Sequence, residues 1–148
     1  MDIIDQLVGT IEAPAKPRRF VFVLLEDFTM LCFSAAVESL RIANRMSGRE
    51  LYTWTLMSEH GTPVRCSAGI EFVVEDELIE VLRDDTVMVC GGVSIKSASS
   101  KKIVNWLRRE SRRGPLMAGL HSGLYAGESG AVGWKTRYDP LGESRQFY

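Results

Sequence analysis

The chain has 148 residues, of which 45% are hydrophobic and 25% are charged, a balance typical of a single globular domain. Its formal net charge of −1 excludes a global field that would draw the whole chain to nucleic acid or to anionic lipid. The N-terminus is not typical of a signal peptide, and no apolar run approaches the roughly 18 residues that a membrane span requires.

The three cysteines, Cys32, Cys66 and Cys90, lie far apart and form no CxxC pair. Two of them stand in apolar runs, which favours reduced, mostly buried thiols in a cytoplasmic protein over a disulfide framework. Together with His60 and His121 they show no metal-ligand spacing. The sequence also lacks a GxGxxG or P-loop motif, so we expect no metal and no cofactor.

The first part of the chain reads as a leader, a strand and a helix. Residues 1–18 form a loose, Pro-containing leader, and residues 20–25 form a continuous apolar run that is typical of a strand buried on both faces. Residues 30–46 carry apolar side chains at helical spacing. Gly48 is placed to end that helix in the left-handed conformation.

The middle of the chain predicts short strands. Residues 51–58 alternate like a strand, residues 64–66 and 70–74 form a small hairpin, and residues 78–82 form a short helix. Residues 86–90 predict a further buried strand, which is stopped by two glycines.

A second long helix is predicted over residues 97–113, followed by a third core strand over residues 116–120. The helix ends in a basic cluster, Arg108 to Arg113, which suits the negative end of the helix dipole. The cluster has no interleaved aromatic residues and no second helix arranged as a helix-turn-helix, so a solvated helix face is favoured over a contact with DNA.

Strands that alternate with helices predict an α/β fold with a mainly parallel sheet. Ligands of such sheets bind at the carboxyl ends of the strands. In this sequence those ends are Glu26-Asp27, Gly91-Gly92 and residues 119–123. Any functional site is therefore expected at these three places.

Residues 119–123, GLHSG, have the pattern of a nucleophile elbow, in which glycines allow a tight turn that exposes the central residue. The central position should hold serine or cysteine, but it holds His121. A pocket-lining or structural histidine is therefore favoured over a catalytic one. Ser122 stands one place late, so the turn would point it elsewhere.

Two further features have alternative interpretations. The N–H groups of Gly91-Gly92 could face a ligand or an oxyanion, or the pair could simply connect a strand to a loop. Glu38 could bind a cationic ligand, but pairing with Arg41 on the helix surface is favoured.

The stretch from Arg19 to Tyr125 resembles the N-terminal domain of GlxA-like regulators of the AraC type. That domain belongs to the ThiJ/PfpI, class I glutamine amidotransferase-like superfamily. The residues that carry the resemblance are RRFVFVLLEDFTMLCFSAAVESLRIANRMSGRELYTWTLMSEHGTPVRCSAG, DDTVMVCGG, IVNWLRRESRRG and AGLHSGLY. The segment AVESLRIANRMSGRELYTW is the most specific of them.

The resemblance implies a flavodoxin-like three-layer sandwich that senses a small metabolite, an amino acid or a quaternary amine, and that forms a homodimer. Enzymes of the superfamily carry a cysteine at the elbow and a supporting glutamate near the first helix. The matching positions here are His121 and the neighbourhood of Cys32, so the resemblance implies no thiolate chemistry. The expected ligand-binding residues are Glu26, Asp27, Cys32, Gly91, Gly92, Leu120, His121 and Ser122.

The tail, residues 126–148, departs from the family pattern. It shows no helical or strand periodicity, whereas a regulator of this group continues into a helix-turn-helix domain. One permitted coding of the tail, read one nucleotide later, gives a string that looks like the normal continuation. We interpret the tail as the product of a frameshift, and we expect no direct DNA binding by this chain.

Three functions follow as hypotheses. The first is a non-catalytic sensor domain, residues 19–125, from a transcription regulator. The second is a stand-alone ThiJ/PfpI-like hydrolase or glyoxalase, against which His121 argues. The third is an interaction module without a ligand.

Overall fold

The computed structural model describes residues 16–120. Four parallel strands form one sheet: β1 (Arg18–Leu24), β2 (Tyr52–Met57), β5 (Thr86–Cys90) and β6 (Leu116–Leu120). Their order across the sheet is β2-β1-β5-β6. The predicted α/β class with a parallel sheet is therefore confirmed.

Helices cover both faces of the sheet. The helices are α1 (Met30–Ser47), the single turn α2 (Ile95–Ala98) and α3 (Lys101–Ser111). Two short strands, β3 (Val64–Arg65) and β4 (Glu71–Phe72), pair antiparallel on the α1 side. The connections β1-α1-β2 and β5-α3-β6 lie on opposite faces, so the described part is a three-layer sandwich.

The central strand β1 is buried on both faces, which explains its continuous apolar run. Val21 and Val23 face the core on the α3 side, and Phe22 and Leu24 face the core on the α1 side. All four side chains are at most 1% exposed. Alternation therefore cannot be read from this strand, because neither face meets water.

Helix α1 ends at Gly48, which adopts the expected left-handed conformation with φ of 64°. Asn44 joins the end of this helix to β2. Its Oδ1 accepts hydrogen bonds from the N–H groups of Leu51 and Tyr52 at 2.9 Å, and its Nδ2 donates to the Tyr52 carbonyl at 2.8 Å. This side chain thereby sets where the helix stops and where the edge strand starts.

The predicted short helix over residues 78–82 is wrong. This segment is irregular, and side chains of α3 bind its backbone. The Trp106 indole Nε1 donates to the Ile79 carbonyl at 2.8 Å, and the buried Glu110 carboxylate accepts from the Val81 N–H at 3.3 Å. These bonds replace the hydrogen bonds that a helical turn would supply.

The single helix predicted over residues 97–113 is divided in two at Ser99 and Ser100. Ser100 is in an extended conformation, and its hydroxyl accepts a hydrogen bond from the Ile103 N–H at 3.2 Å. That is the geometry of an N-cap, so Ser100 begins α3 rather than continuing α2.

Ion pairs stabilise the amino-terminal edge of the sheet, at the end opposite the predicted site, and the nearby end of α3. Arg19 at the start of β1 makes a two-pronged bond to the buried Asp85, with nitrogen–oxygen distances of 2.6 and 3.1 Å. This hydrogen bond raises the pKa of Arg19. On the basic end of α3, Arg109 pairs with Glu110, and Arg113 pairs with Glu80. Among the helices within residues 16–120, none is long and apolar enough to cross a membrane.

Candidate functional site

The loops that follow β1 and β5 meet at the carboxyl edge of the sheet. The Leu25 N–H donates to the Cys90 carbonyl at 3.1 Å, and the Thr29 N–H donates to the Gly91 carbonyl at 3.0 Å. From this point β1 connects toward β2 and β5 connects toward β6, so the chain changes direction between the two strands. A parallel sheet binds ligands at such a switch point. The structure thus brings together Glu26-Asp27 and Gly91-Gly92, two of the three places selected from sequence.

Gly92 lies directly against the backbone of Asp27. A Cβ added at Gly92 would stand 2.2 Å from the Asp27 carbonyl oxygen, so only glycine fits there. The Gly92 carbonyl accepts from the Ile95 N–H at 3.2 Å, which starts α2. The Gly91 N–H points to the Leu120 carbonyl at 3.4 Å and is thereby engaged by β6. For Gly91 the strand-to-loop interpretation therefore describes the structure better than an oxyanion donor.

Asp27 holds an uncommon backbone conformation, with φ of 60°. Its N–H donates to the Arg65 carbonyl at 2.9 Å, so the hairpin of β3 and β4 fixes this loop from the α1 side. The Asp27 side chain is half-buried and that of Glu26 is exposed. Two carboxylates are thus carried by a loop whose backbone is fixed by hydrogen bonds to Arg65 and, through Thr29, to Gly91.

The cysteines near the site are free thiols. Cys90 is buried, and this burial, with a smaller effect from the neighbouring Cys32, raises the pKa of its thiol far above the ordinary value. Cys32, in the first turn of α1, is half-buried, and Cys66 is buried. Because a thiolate is the reactive form, Cys90 is unsuited to nucleophilic chemistry. No group of three potential metal ligands occurs within residues 16–120.

A cleft of about 120 Å³ opens beside Glu26, and the sequence did not point to it. Its walls come from the loop after β1, from the loop between β2 and β3, and from α2 and α3. The lining residues are Leu24, Leu25, Glu26, Ser58, Glu59, His60, Thr62, Pro63, Val64, Ala98 and Ile103. The signal that could have found it is the position of Ser58 and Glu59 directly after β2, at the same edge of the sheet.

Glu59, in the wall of this cleft, is held in place by the start of α3. Its carboxylate accepts a hydrogen bond from the Ser100 hydroxyl at 2.7 Å, and its carbonyl accepts from the Lys102 ammonium at 2.9 Å. His60 stands beside it, with its Nε2 3.7 Å from the Glu59 carboxylate. The N-cap of α3 therefore fixes a third carboxylate at this edge, in the same cleft as Glu26.

The third predicted place is described only at its start. Leu120 ends β6, is half-buried, and packs against the core on the α1 side. His121, Ser122 and the rest of the elbow lie outside the described residues. The same holds for most of the leader and for the tail at 126–148.

No protein-family profile matches the sequence. Curated relatives do match it. The chain is 36% identical over 111 residues to the HTH-type transcriptional regulator GbdR of Pseudomonas aeruginosa. The aligned residues cover 75% of this chain and 30% of the relative. It is 33% identical over 109 residues to the HTH-type transcriptional regulator GlxA of Rhizobium meliloti, covering 73% of this chain and 34% of the relative. The chain thus spans about a third of these relatives.

Solved structures give the same picture. An AraC family transcriptional regulator from Pseudomonas putida superposes with a TM-score of 0.66 and 27% identity, over 77% of this chain and 62% of that chain. A ThiJ/PfpI family protein from Pseudomonas syringae superposes with a TM-score of 0.60 over 79% of this chain and 46% of that chain. Its identity is 16%, so it shows the fold alone.

Proposed function

Because this chain is a homologue of GlxA- and GbdR-type transcriptional regulators and has the ThiJ/PfpI fold, we propose that it is the ligand-sensing part of such a regulator and catalyses no reaction. Residues 19–125 are the proposed sensor domain. In the proposal a different part of a regulator reads the DNA, and this part binds a small metabolite and pairs with a second copy.

The observation that carries the proposal is the junction of the two loops at the switch point. The loop at Glu26-Asp27 and the loop at Gly91-Gly92 are joined through the Thr29–Gly91 hydrogen bond and the close approach of Asp27 to Gly92. A ligand at one loop therefore bears directly on the start of α1 and on the start of α2. This is a suitable arrangement for turning binding into a change of helix position.

The proposed ligand carries a positive charge, as an amino acid or a quaternary amine does. Two carboxylates, Glu26 and Glu59, line the cleft, and Asp27 follows Glu26 on the same loop. The remaining proposed contacts are Cys32, Gly91, Gly92, Leu120, His121 and Ser122. In the proposal, the carboxylates bind the positive charge of the ligand, and the half-buried residues limit the size of the ligand.

The absence of catalysis is supported by the thiols within the described range. Cys66 and Cys90 are buried, and burial keeps Cys90 protonated. The histidine at the elbow position supplies no nucleophile of the kind that acyl transfer uses. The reduced thiols also suit the reducing environment of a cytoplasmic regulator.

The experiment is a thermal-shift screen of the whole chain against amino acids and betaines. A ligand that binds only the folded state raises the melting temperature. We expect a cationic member of the set to do so, and we expect Glu26→Gln to reduce the shift. Glu50→Gln, an exposed glutamate before β2 at the other end of the sheet, is the matched control and should leave the shift intact.

The enzyme hypothesis is tested in parallel with methylglyoxal and a chromogenic ester. Turnover that His121→Ala abolishes would contradict the proposal. A screen without any shift, from a chain that nevertheless melts cooperatively, would favour an interaction module without a ligand.

A further inference from the structure

Helix α1 carries an apolar stripe on the face that points away from the sheet. Leu31 is 76% exposed, Ile42 is 48% exposed and Met46 is 82% exposed. Ala35 and Glu38 are exposed between them. The successive spacings are four, three, four and four residues, which places all five side chains on one side of the helix. We call these five residues the outer stripe.

The opposite side of α1 already fulfils the structural role of the helix. Phe33, Val37 and Leu40 face the sheet and pack in the core on the α1 side. The outer stripe therefore contributes nothing to the described core. Apolar side chains that are aligned and exposed along one face of a helix are typical of an interaction surface.

Read from either end, the outer stripe begins with a large apolar side chain, continues with a second apolar side chain and then reaches Glu38. If two copies of α1 lie antiparallel about a two-fold axis next to Glu38 and Ser39, Leu31 of one copy faces Met46 of the other. In the same arrangement Ala35 faces Ile42, so a small side chain meets a large one. We propose that the outer stripe pairs with the outer stripe of a second copy of this chain in this antiparallel register.

Charges at the centre of the stripe suit this register. Glu38 and Arg41 of one helix form an ion pair with a nitrogen–oxygen distance of 2.6 Å. The hydrogen bond from Arg41 lowers the pKa of Glu38, which is therefore ionised at neutral pH. Two-fold pairing brings two such pairs together, so each carboxylate has a guanidinium on both helices within reach. A partner with a uniformly acidic or basic face would lack this balance.

The inference rests on the proposed sensor function, since it specifies the surface through which the sensor pairs. Helix α1 begins at Met30, three residues after Asp27 and directly after Thr29, which is bonded to Gly91. The proposed ligand loop is thus continuous with the pairing helix. Ligand binding and pairing are therefore coupled, with each strengthening or weakening the other by the same factor.

The test places charges at the predicted contact between Leu31 of one copy and Met46 of the other. Leu31→Glu and Met46→Lys each place a lone charge against an apolar side chain of the second copy. Both substitutions agree with the helix dipole, and both sites are exposed, so the fold should be unaffected. Sedimentation equilibrium should show a dimer in the unaltered chain and a dissociation constant about tenfold higher or more in each single variant, because every dimer contains the altered contact twice.

The double variant Leu31→Glu with Met46→Lys decides the register. Within one chain the two positions are about 22 Å apart along the helix and cannot form an ion pair. Across the two-fold axis they face each other, so the double variant should recover most of the lost affinity. Val73→Glu adds the same charge at a side chain that is 77% exposed and lies outside the stripe, and it should leave the dimer unchanged.

Three results would overturn the inference. One is a chain that stays monomeric up to about 100 μM, far above the range of a functional dimer. Another is a dimer that neither single variant weakens, since the dimer then forms through a surface other than the outer stripe. The third is a double variant as weak as the single ones. The thermal-shift screen distinguishes failure of the pairing from failure of the sensor function, because a monomer that still binds an amine would keep the sensor function and lose only the pairing.

Discussion

The backbone of Asp27 and the Cα of Gly92 are in direct contact, with no room for a side chain between them. A Cβ at Gly92 would stand 2.2 Å from the Asp27 carbonyl oxygen and 3.2 Å from its carbonyl carbon. The neighbouring atoms are backbone, so they cannot move aside as the end of a flexible side chain could. The close approach of these two loops, which are 65 positions apart in the chain, therefore requires glycine at position 92.

Gly92→Ala should consequently destabilise the fold by about 2–4 kcal/mol, because the added methyl group forces the loops apart. Gly48→Ala is the control. Gly48 has φ of 64° but no atom within 4 Å of an added Cβ, so the control should cost only the left-handed conformation, about 1 kcal/mol. Urea unfolding monitored by tryptophan fluorescence measures both. Equal losses in the two variants would contradict the contact.

Asn44→Ala should cost about 1–3 kcal/mol of unfolding free energy, since it removes the side-chain partner of the Tyr52 N–H and carbonyl and leaves the Leu51 N–H with only its 3.1 Å bond to the Arg49 carbonyl. Ser39→Ala on the same helix is the matched control, because Ser39 makes a single exposed bond to the Ala35 carbonyl. Its expected effect is below about 0.5 kcal/mol. Asn44→Asp separates the two roles of the side chain, since it keeps the acceptor and loses the donor.

The Arg19–Asp85 pair should show strong coupling in a double-mutant cycle. Asp85→Ala leaves Arg19 without its carboxylate and also removes the acceptor of the Leu82 N–H, which lies 2.7 Å away. We expect a loss of about 3 kcal/mol for Asp85→Ala and a coupling energy of about 1–3 kcal/mol with Arg19→Met. Thermal melting of the four proteins gives the cycle. Additive losses would mean that the pair lies too close to water to matter.

The thiols should differ in their reaction with a maleimide under native conditions. Cys32 is half-buried, whereas Cys66 and Cys90 are each about 1% exposed. Burial also raises the pKa of Cys90, so its thiolate fraction at neutral pH is very small. Mass spectrometry should find Cys32 labelled first, and Cys66 and Cys90 labelled only after denaturation. Rapid labelling of Cys90 in the folded chain would show that the core on the α1 side opens.

Much of the architecture could be predicted because the relevant signals are local. The strands over residues 86–90 and 116–120 have the predicted bounds, and the first helix ends where Gly48 indicates. The carboxyl-edge rule then brought Glu26-Asp27 and Gly91-Gly92 to one place without any knowledge of contacts. Each of these inferences needed only residues that are adjacent in the chain.

The features that could not be predicted depend on distant partners. Leu78 to Leu82 has a helical composition, but Trp106 and Glu110 bind its backbone from 27 and 29 positions away. Glu59 belongs to the cleft because Ser100, 41 positions later, binds its carboxylate. On α1, the apolar residues stand at helical spacing, which predicted a helix. The spacing did not show that Leu31 and Ile42 lie on the face away from the sheet. Periodicity gives a pattern, and the neighbouring elements decide which side of it is buried.

The position of β1 at the centre of the sheet also determines when the sheet can form during translation. This strand is the first to be made, yet its partner β5 lies 66 positions later. At the usual speed of about 5–20 residues per second, β1 waits for several seconds with its β5 edge unpaired and with its face toward α3, Val21 and Val23, uncovered. During that interval the unpaired edge and the exposed apolar side chains make the emerging chain prone to aggregation. A stalled or slowed ribosome within residues 60–90 should therefore lower the yield of folded protein more than a stall near the start.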